Sequence, residues 1–119
     1  MQVGHQPIQV VSKQWGNEIW IANTEKYCLK FLNIYVGGCC SLHYHNEKDE
    51  TFYVDEGTCY LKLEEETFVL SEGDSVRVKP GGLHKFWVPK EFSRGCRILE
   101  VSTHHDDADV IRLENSKTL

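Results

Sequence analysis

Residues 37–57 read GGCCSLHYHNEKDETFYVDEG, and this stretch decides how the chain folds. A glycine pair opens it, a glycine closes it, and the polar residues 46–49 separate two apolar runs, 39–45 and 50–54. Short apolar runs between turn residues are typical of β-strands. The stretch therefore predicts two strands joined by a hairpin turn at 46–49.

The same pattern continues along the rest of the chain. Turn residues recur at 71–74 and 79–82, and no long apolar pattern of helical period is present. We predict about ten short strands, at residues 15–21, 27–36, 39–45, 50–54, 58–63, 67–70, 75–78, 84–88, 97–102 and 110–113. The predicted fold is all-β, a small sandwich or barrel of jelly-roll type, with residues 1–119 as one domain.

Composition excludes several classes of partner. Lys and Arg number 13 against 18 Asp and Glu, for a net charge of −5, and no basic run offers a surface for nucleic acid. No apolar stretch reaches the roughly 18 residues of a membrane span, and residues 1–11 lack the pattern of a secretory signal. The five cysteines have no metal-type spacing, so we expect thiols in the cytoplasm and no membrane partner.

Four residues form a candidate metal site. His43 and His45 share one face of a strand, about 6.5–7 Å apart between Cα atoms. Glu50 begins the next strand, and His84 follows a later glycine turn. Three neutral imidazoles and one carboxylate suit one divalent transition metal, with Zn as the first expectation and Fe, Mn, Ni or Co also open. An H-x-H pair alone is more often a surface or core pair, so the prediction depends on all four residues together.

These residues also carry a family resemblance. Residues 37–57 resemble the complete first motif of the cupin superfamily, and residues 73–84 resemble the second. The motif positions at the family's spacing are Gly37, His43, His45, Glu50, Gly57, Gly73, Gly81 and His84. The family's proline falls on Lys79, with Pro80 one position late. The resemblance implies a cupin-type double-stranded β-helix with one bound metal.

A narrower resemblance covers most of the chain. Several segments are similar to the type II mannose-6-phosphate isomerase cupins, a domain often fused to mannose-1-phosphate guanylyltransferases, namely residues 13–16, 41–45, 50–54, 98–101 and 109–114. His43 replaces a glutamine of that family, Thr51 a histidine and Lys48 an arginine. The resemblance implies a metal-dependent sugar or sugar-phosphate isomerase or epimerase, in which the metal holds two substrate oxygens and stabilises an enediolate.

Two further residues are assigned within that hypothesis. Glu100, a carboxylate in the apolar run 98–101, is the candidate general base, unless it lies on an outward, solvated face. Lys48 is the candidate ligand of a sugar phosphate, or else a solvated turn lysine. Residues 104–107 are expected to form an exposed acidic turn, and His5 has no expected partner.

Two other classes of function stay open. One is a cupin that binds a small molecule without converting it. The other is an Fe(II)-dependent dioxygenase, since three histidines and one glutamate also suit iron. In every case the partner is a small molecule, and a sugar or sugar phosphate under the first hypothesis. We also expect a homodimer, because pairing buries an edge strand.

Overall fold

The computed structural model describes residues 4–119, and strands make up nearly all of their regular structure. The strands are β1 (Gln9–Lys13), β2 (Gly16–Asn23), β3 (Cys28–Ile34), β4 (Gly38–Cys39), β5 (Leu42–His45), β6 (Glu50–Glu56), β7 (Thr58–Leu63), β8 (Glu66–Ser71), β9 (Ser75–Val78), β10 (His84–Trp87), β11 (Cys96–Ser102), β12 (Val110–Glu114) and β13 (Lys117–Thr118). A single 3₁₀ turn, Asp107–Asp109, is the only helical element within residues 4–119. The all-β prediction is confirmed. No helix in that range is long and apolar enough to cross a bilayer.

The strands form two antiparallel sheets. The first has the order β1-β2-β3-β11-β6-β9. In the second, β10 pairs with β7 on one side and with β4 and β5 on the other. β8 extends this sheet beyond β7, while β12 and β13 extend it beyond β5 and β4. The inward face of each sheet therefore faces the other sheet.

Alternating side chains build the core between the sheets. In β3 every second residue is buried, as the period of two along a strand requires. The Trp15 and Phe86 rings meet edge to face in this core, with centroids 5.2 Å apart. All five cysteines are buried free thiols.

The predicted strand 39–45 is two strands, β4 and β5, because the ladder is irregular at Cys40. There the backbone N–H of Phe86 donates to the Cys40 sulfur, at 3.2 Å, instead of to a backbone carbonyl. β1 and β13 were not predicted, and both lie at sheet edges with mostly exposed residues. Such strands lack the buried, alternating face on which the prediction relied.

The hairpin predicted at residues 46–49 is wrong. β5 lies in the second sheet and β6 in the first, so this loop carries the chain from one sheet to the other. The Asp109 carboxylate accepts hydrogen bonds of 3.0–3.2 Å from the backbone N–H groups of residues 46–48. Arg77 pairs with Asp49 at the other end. Four polar residues are long enough for either connection, and these anchors decide between them.

Candidate functional site

Three histidine side chains converge between the sheets. His43 and His45 project from β5, and His84 on β10 is the direct Cα partner of His43. The His43 ring centroid is 4.4 Å from that of His84 and 5.1 Å from that of His45. One ligand atom of each histidine lies within 4.8 Å of the others. The three imidazoles could therefore hold one metal ion.

Backbone carbonyls fix how two of these rings are protonated. Nδ1 of His43 lies 2.7 Å from the Ser41 carbonyl, and Nδ1 of His84 lies 2.9 Å from the Gly82 carbonyl. A carbonyl only accepts, so each Nδ1 carries the proton and donates it. In the neutral ring this leaves a lone pair on Nε2, which is the usual arrangement of a metal-binding histidine.

Glu50 reaches the histidines from the opposite sheet. As the first residue of β6, it places Oε1 3.5 Å from Nε2 of His45 and Oε2 3.3 Å from Nε2 of His84. That Oε2 and that Nε2 are buried and have no hydrogen-bond partner among residues 4–119. Two lone pairs that face each other at this distance repel unless a cation lies between or beside them. The residues present therefore fit a bound metal.

Burial keeps the His43 and His45 imidazoles neutral. Burial and the neighbouring His84 lower the pKa of His43 to about 3. Burial lowers the pKa of His45 to about 4, although Glu50 opposes this shift. Burial alone raises the pKa of Glu50, but its polar neighbours, the Lys48 ammonium among them, outweigh burial, so that its net pKa lies below the ordinary value. A neutral imidazole and an ionised carboxylate are the forms that bind a metal.

Lys48 is buried beside this site, with 2% of its surface exposed. Its Nζ lies 3.2 Å from Glu50 Oε1, 2.6 Å from Glu100 Oε2 and 2.8 Å from His105 Nδ1. We call these four residues the Lys48 network. An ammonium group has three donors, and all three meet protein acceptors here. The alternative that Lys48 is a solvated turn residue is therefore wrong. Its role as the ligand of a sugar phosphate stays a prediction, although all three of its N–H groups already face protein acceptors.

The network keeps the Lys48 ammonium charged. Burial lowers the pKa of Lys48, but Glu100 and Glu50 raise it by more, so that its net pKa lies above the ordinary value. Buried charges cost several kcal/mol each unless they are paired and hydrogen-bonded. The ammonium and its two carboxylates satisfy one another in this way.

Glu100 lies inside the barrel. It projects from β11 and is 4% exposed, so the outward, solvated position considered above is wrong. Its Oε2 accepts from Lys48 at 2.6 Å. The Ser102 hydroxyl oxygen lies 3.2 Å from the same Oε2 and 2.8 Å from the Thr103 carbonyl, and its single proton is shared between these two acceptors. No residue in the range 4–119 donates a hydrogen bond to its Oε1. The catalytic role of Glu100 stays a prediction.

His105 is a member of the site that the sequence did not reveal. The expected exposed turn at 104–107 is wrong for this residue, whose side chain is only 10% exposed. Its Nε2 lies 2.7 Å from Asp107 Oδ1, so Nε2 donates and Nδ1 accepts from Lys48. The Asn23 side chain bonds both the N–H and the carbonyl of His105. His105 lies outside the strands, so strand alternation could not show which way its side chain points. The neighbouring His104 is exposed.

The buried Lys30 and the partly buried Glu18 form a second ion pair, which the sequence analysis missed. Lys30 is 1% exposed, its Nζ lies 3.4 Å from Glu18 Oε1, and the same oxygen accepts from the Trp20 indole at 2.8 Å. Strand alternation could have revealed Lys30, because it shares the inward face of β3 with Leu32 and Ile34.

One pocket of about 630 Å³, including its open mouth, joins these groups. Its lining includes three of the four candidate ligands (His43, His45 and Glu50), the rest of the Lys48 network, the Glu18–Lys30 pair, the core rings of Trp15 and Phe86, and Arg112 at its edge. A pocket of a few hundred Å³ that is lined by convergent polar groups is typical of a small-molecule site.

Comparison with known proteins agrees with this architecture. A family model described as a cupin domain matches residues 30–101, more than half of the chain. The matched range includes both predicted motifs, so the predicted resemblance and the jelly-roll fold are confirmed.

Two curated relatives are mannose-1-phosphate guanylyltransferases. The protein of Sinorhizobium fredii is 22% identical over 101 residues, which cover 85% of this chain and 20% of that protein. RfbM of Salmonella typhimurium is 24% identical over 106 residues, which cover 89% of this chain and 22% of that protein. The chain thus spans about a fifth of the length of these curated relatives.

Among solved structures, KdgF from Halomonas sp. is similar with a TM-score of 0.73 and 18% sequence identity. The match covers 87% of this chain and 90% of that one. Similarity at this level of identity concerns the fold.

We expect His45→Ala and His84→Ala each to abolish stoichiometric metal binding, because each removes one of three converging imidazoles. Elemental analysis of the purified variants measures this. His104→Ala is the matched control, since this exposed histidine lies outside the cluster, and it should keep the wild-type metal content. A full equivalent of metal in both variants would refute the assigned site.

We expect Lys48→Met to lower the free energy of unfolding by about 3–5 kcal/mol, because it leaves two carboxylates buried without a cation. Urea denaturation of chelator-treated protein measures this without a contribution from metal. The exposed Lys26 provides the control, and Lys26→Met should change stability by less than about 0.5 kcal/mol. Equal stability of the two variants would contradict the pairing described for Lys48.

Proposed function

The chain belongs to the cupin domain family, and on this premise we propose that it is a metal-dependent isomerase or epimerase of a sugar or sugar phosphate. The observation that supports the proposal most is the position of Glu100. This buried carboxylate lies in the same pocket as the histidine cluster, held there by Lys48. A site with both a candidate metal and a candidate base suits proton transfer next to a carbonyl group.

In this proposal His43, His45, His84 and Glu50 hold one divalent transition metal. When bound, such a metal acts as a Lewis acid that polarises a carbonyl or hydroxyl oxygen. The three imidazoles supply neutral donors, and the carboxylate supplies a negative charge that offsets part of the charge of the ion.

Glu100 is the proposed base. Its Oε2 lies 2.6 Å from the Lys48 ammonium, which holds the carboxylate in place. Its Oε1 is left to take a proton from a substrate carbon and return it to the neighbouring carbon. Aldose–ketose interconversion moves this proton from C2 to C1, and one carboxylate can perform both halves of that transfer. A second proton passes from the C2 hydroxyl to the C1 oxygen, and water at the open mouth of the pocket can relay it.

Lys48 is the proposed positioning residue for both carboxylates. It touches the candidate ligand Glu50 with one proton and the candidate base Glu100 with another. A shift of Lys48 would therefore displace both the metal site and the base.

The rest of the pocket suits a polyhydroxy compound. Glu18, Lys30 and Ser41 offer donors and acceptors around the pocket, and Trp15 and Phe86 offer apolar ring surface. Sugars present hydroxyl groups and C–H faces together, and a lining of this mixed kind can match both. The similarity to mannose-1-phosphate guanylyltransferases supports the same substrate class.

We expect Glu100→Gln to lower kcat for aldose–ketose interconversion about 10²–10⁴-fold, because the amide cannot accept the proton. Metal content should remain at the wild-type level. The assay follows hexoses, pentoses and their phosphates by NMR, with the exposed Glu91→Gln as the matched control. Near-wild-type turnover by Glu100→Gln would contradict the assignment of the base.

The same assay tests the proposed function itself. If the wild-type, metal-loaded chain converts none of these sugars, the proposal fails. Oxygen consumption by the Fe(II)-loaded protein would then indicate a dioxygenase, and sugar binding without conversion would indicate a binding cupin.

A homodimer in the cytoplasm is also part of the proposal. β1 is an edge strand of the first sheet, and its outward side chains include Val10, which is 64% exposed. An unpaired, apolar edge favours pairing with a second copy. Sedimentation velocity should give a mass near twice 13.8 kDa, and a monomer at micromolar concentration would contradict this.

A further inference from the structure

Arg112 lies at the edge of the pocket, next to the histidine cluster. On β12 it is the direct Cα partner of His43, and its Nη1 donates to the hydroxyl of the buried Ser41 at 2.8 Å. The Ser41 hydroxyl oxygen in turn lies 3.2 Å from Nδ1 of His43. The guanidinium thus lines the pocket on the strand next to the candidate metal ligand His43.

The Arg112 side chain is exposed at the mouth of the pocket, and most of its donors have no partner among residues 4–119. Within residues 4–119, no carboxylate lies within 4.0 Å of Arg112, and the bond to Ser41 is its one hydrogen bond. An arginine side chain has five N–H donors in a planar fork. The remaining donors can bind a carboxylate or a phosphate with two parallel hydrogen bonds.

The other cations of the pocket each lie within 4.0 Å of a carboxylate. Lys30 lies 3.4 Å and Lys13 3.9 Å from the Glu18 carboxylate. Lys48 has no free donor, as described above. Among the described cations that line the pocket, Arg112 is therefore the one with no carboxylate within 4.0 Å.

The charge of the pocket also favours an anion. Its lining contains four Lys or Arg side chains and four Asp or Glu side chains, which balance. The proposed function adds a divalent metal to this balance, and the inference rests on the proposed function for that charge. The loaded pocket then carries a net positive charge, which attracts a negatively charged ligand.

We propose that Arg112 recognises the substrate and that the substrate carries an anionic group, a phosphate or a carboxylate. A sugar phosphate or a sugar acid has such a group several bonds away from its carbonyl carbon. Arg112 binds that end, while the histidine cluster and Glu100 face the reacting end. Arg112 is thus a specificity-determining residue, distinct from the candidate base.

Calorimetric titration of the zinc-loaded full chain tests this, with D-mannose, D-mannose 6-phosphate and D-mannuronate as probes. At least one of the two anionic sugars should bind about tenfold or more tightly than D-mannose. Arg112→Gln should weaken that binding about 10–100-fold and leave D-mannose binding unchanged. Arg112→Lys keeps the charge but not the planar fork of donors. Its affinity for the anionic sugar should therefore lie between that of the wild type and that of Arg112→Gln. The phosphate and carboxylate arms identify which anion the residue prefers.

The matched control is Arg94→Gln, which removes the same charge from an exposed arginine outside this pocket and should bind like the wild type. The metal content of each variant checks that the site has folded. Equal weakening by both substitutions, or wild-type chain that binds neither anionic sugar more tightly than D-mannose, would overturn the inference. The experiment measures binding and not turnover. Binding that depends on Arg112, without conversion of the sugar, would therefore refute the proposed function and leave the inference about Arg112 intact.

Discussion

The buried ammonium of Lys48 is the interaction on which the functional end of the barrel depends. It supplies one proton each to Glu50, Glu100 and His105, which come from three different segments of the chain. Without it, two carboxylates would be buried with no cation of the protein to pair with both. The loop at 46–49 must therefore bring Lys48 inward, and the Asp109 carboxylate holds the backbone of that loop in the required shape.

Spacing along single strands was enough to predict the histidine cluster. His43 and His45 share a face because side chains alternate, and His84 follows a glycine turn that starts the neighbouring strand. The position of Glu50 was also predicted, but for an incorrect reason, since it comes from the opposite sheet and not from a hairpin. The sequence could not show this, because both connections use four polar residues. His105 has no local signal, and only the packing of distant segments reveals it. Arg112 lies on a predicted strand, but its place beside the histidines follows from the pairing of that strand with β5.

The site combines three kinds of chemistry in one pocket. The histidine cluster with Glu50 supplies metal donors, Glu100 supplies a fixed carboxylate with one oxygen free, and Arg112 supplies unused hydrogen-bond donors at the edge. Each part matches one requirement of a sugar isomerase that acts on an anionic substrate: a Lewis acid, a base and a recognition group. Their arrangement supports the proposed function more specifically than the fold does, because one fold carries many activities.

The central claim is that three histidines of this chain bind one divalent transition metal. X-ray absorption at the metal edge, on the 119-residue chain purified without added metal, tests it most directly. The account predicts one metal per chain with scattering from three imidazole rings, at about 2.0–2.1 Å if the metal is zinc. A protein without stoichiometric metal, or a sulfur shell near about 2.3 Å from cysteine ligands, would contradict it.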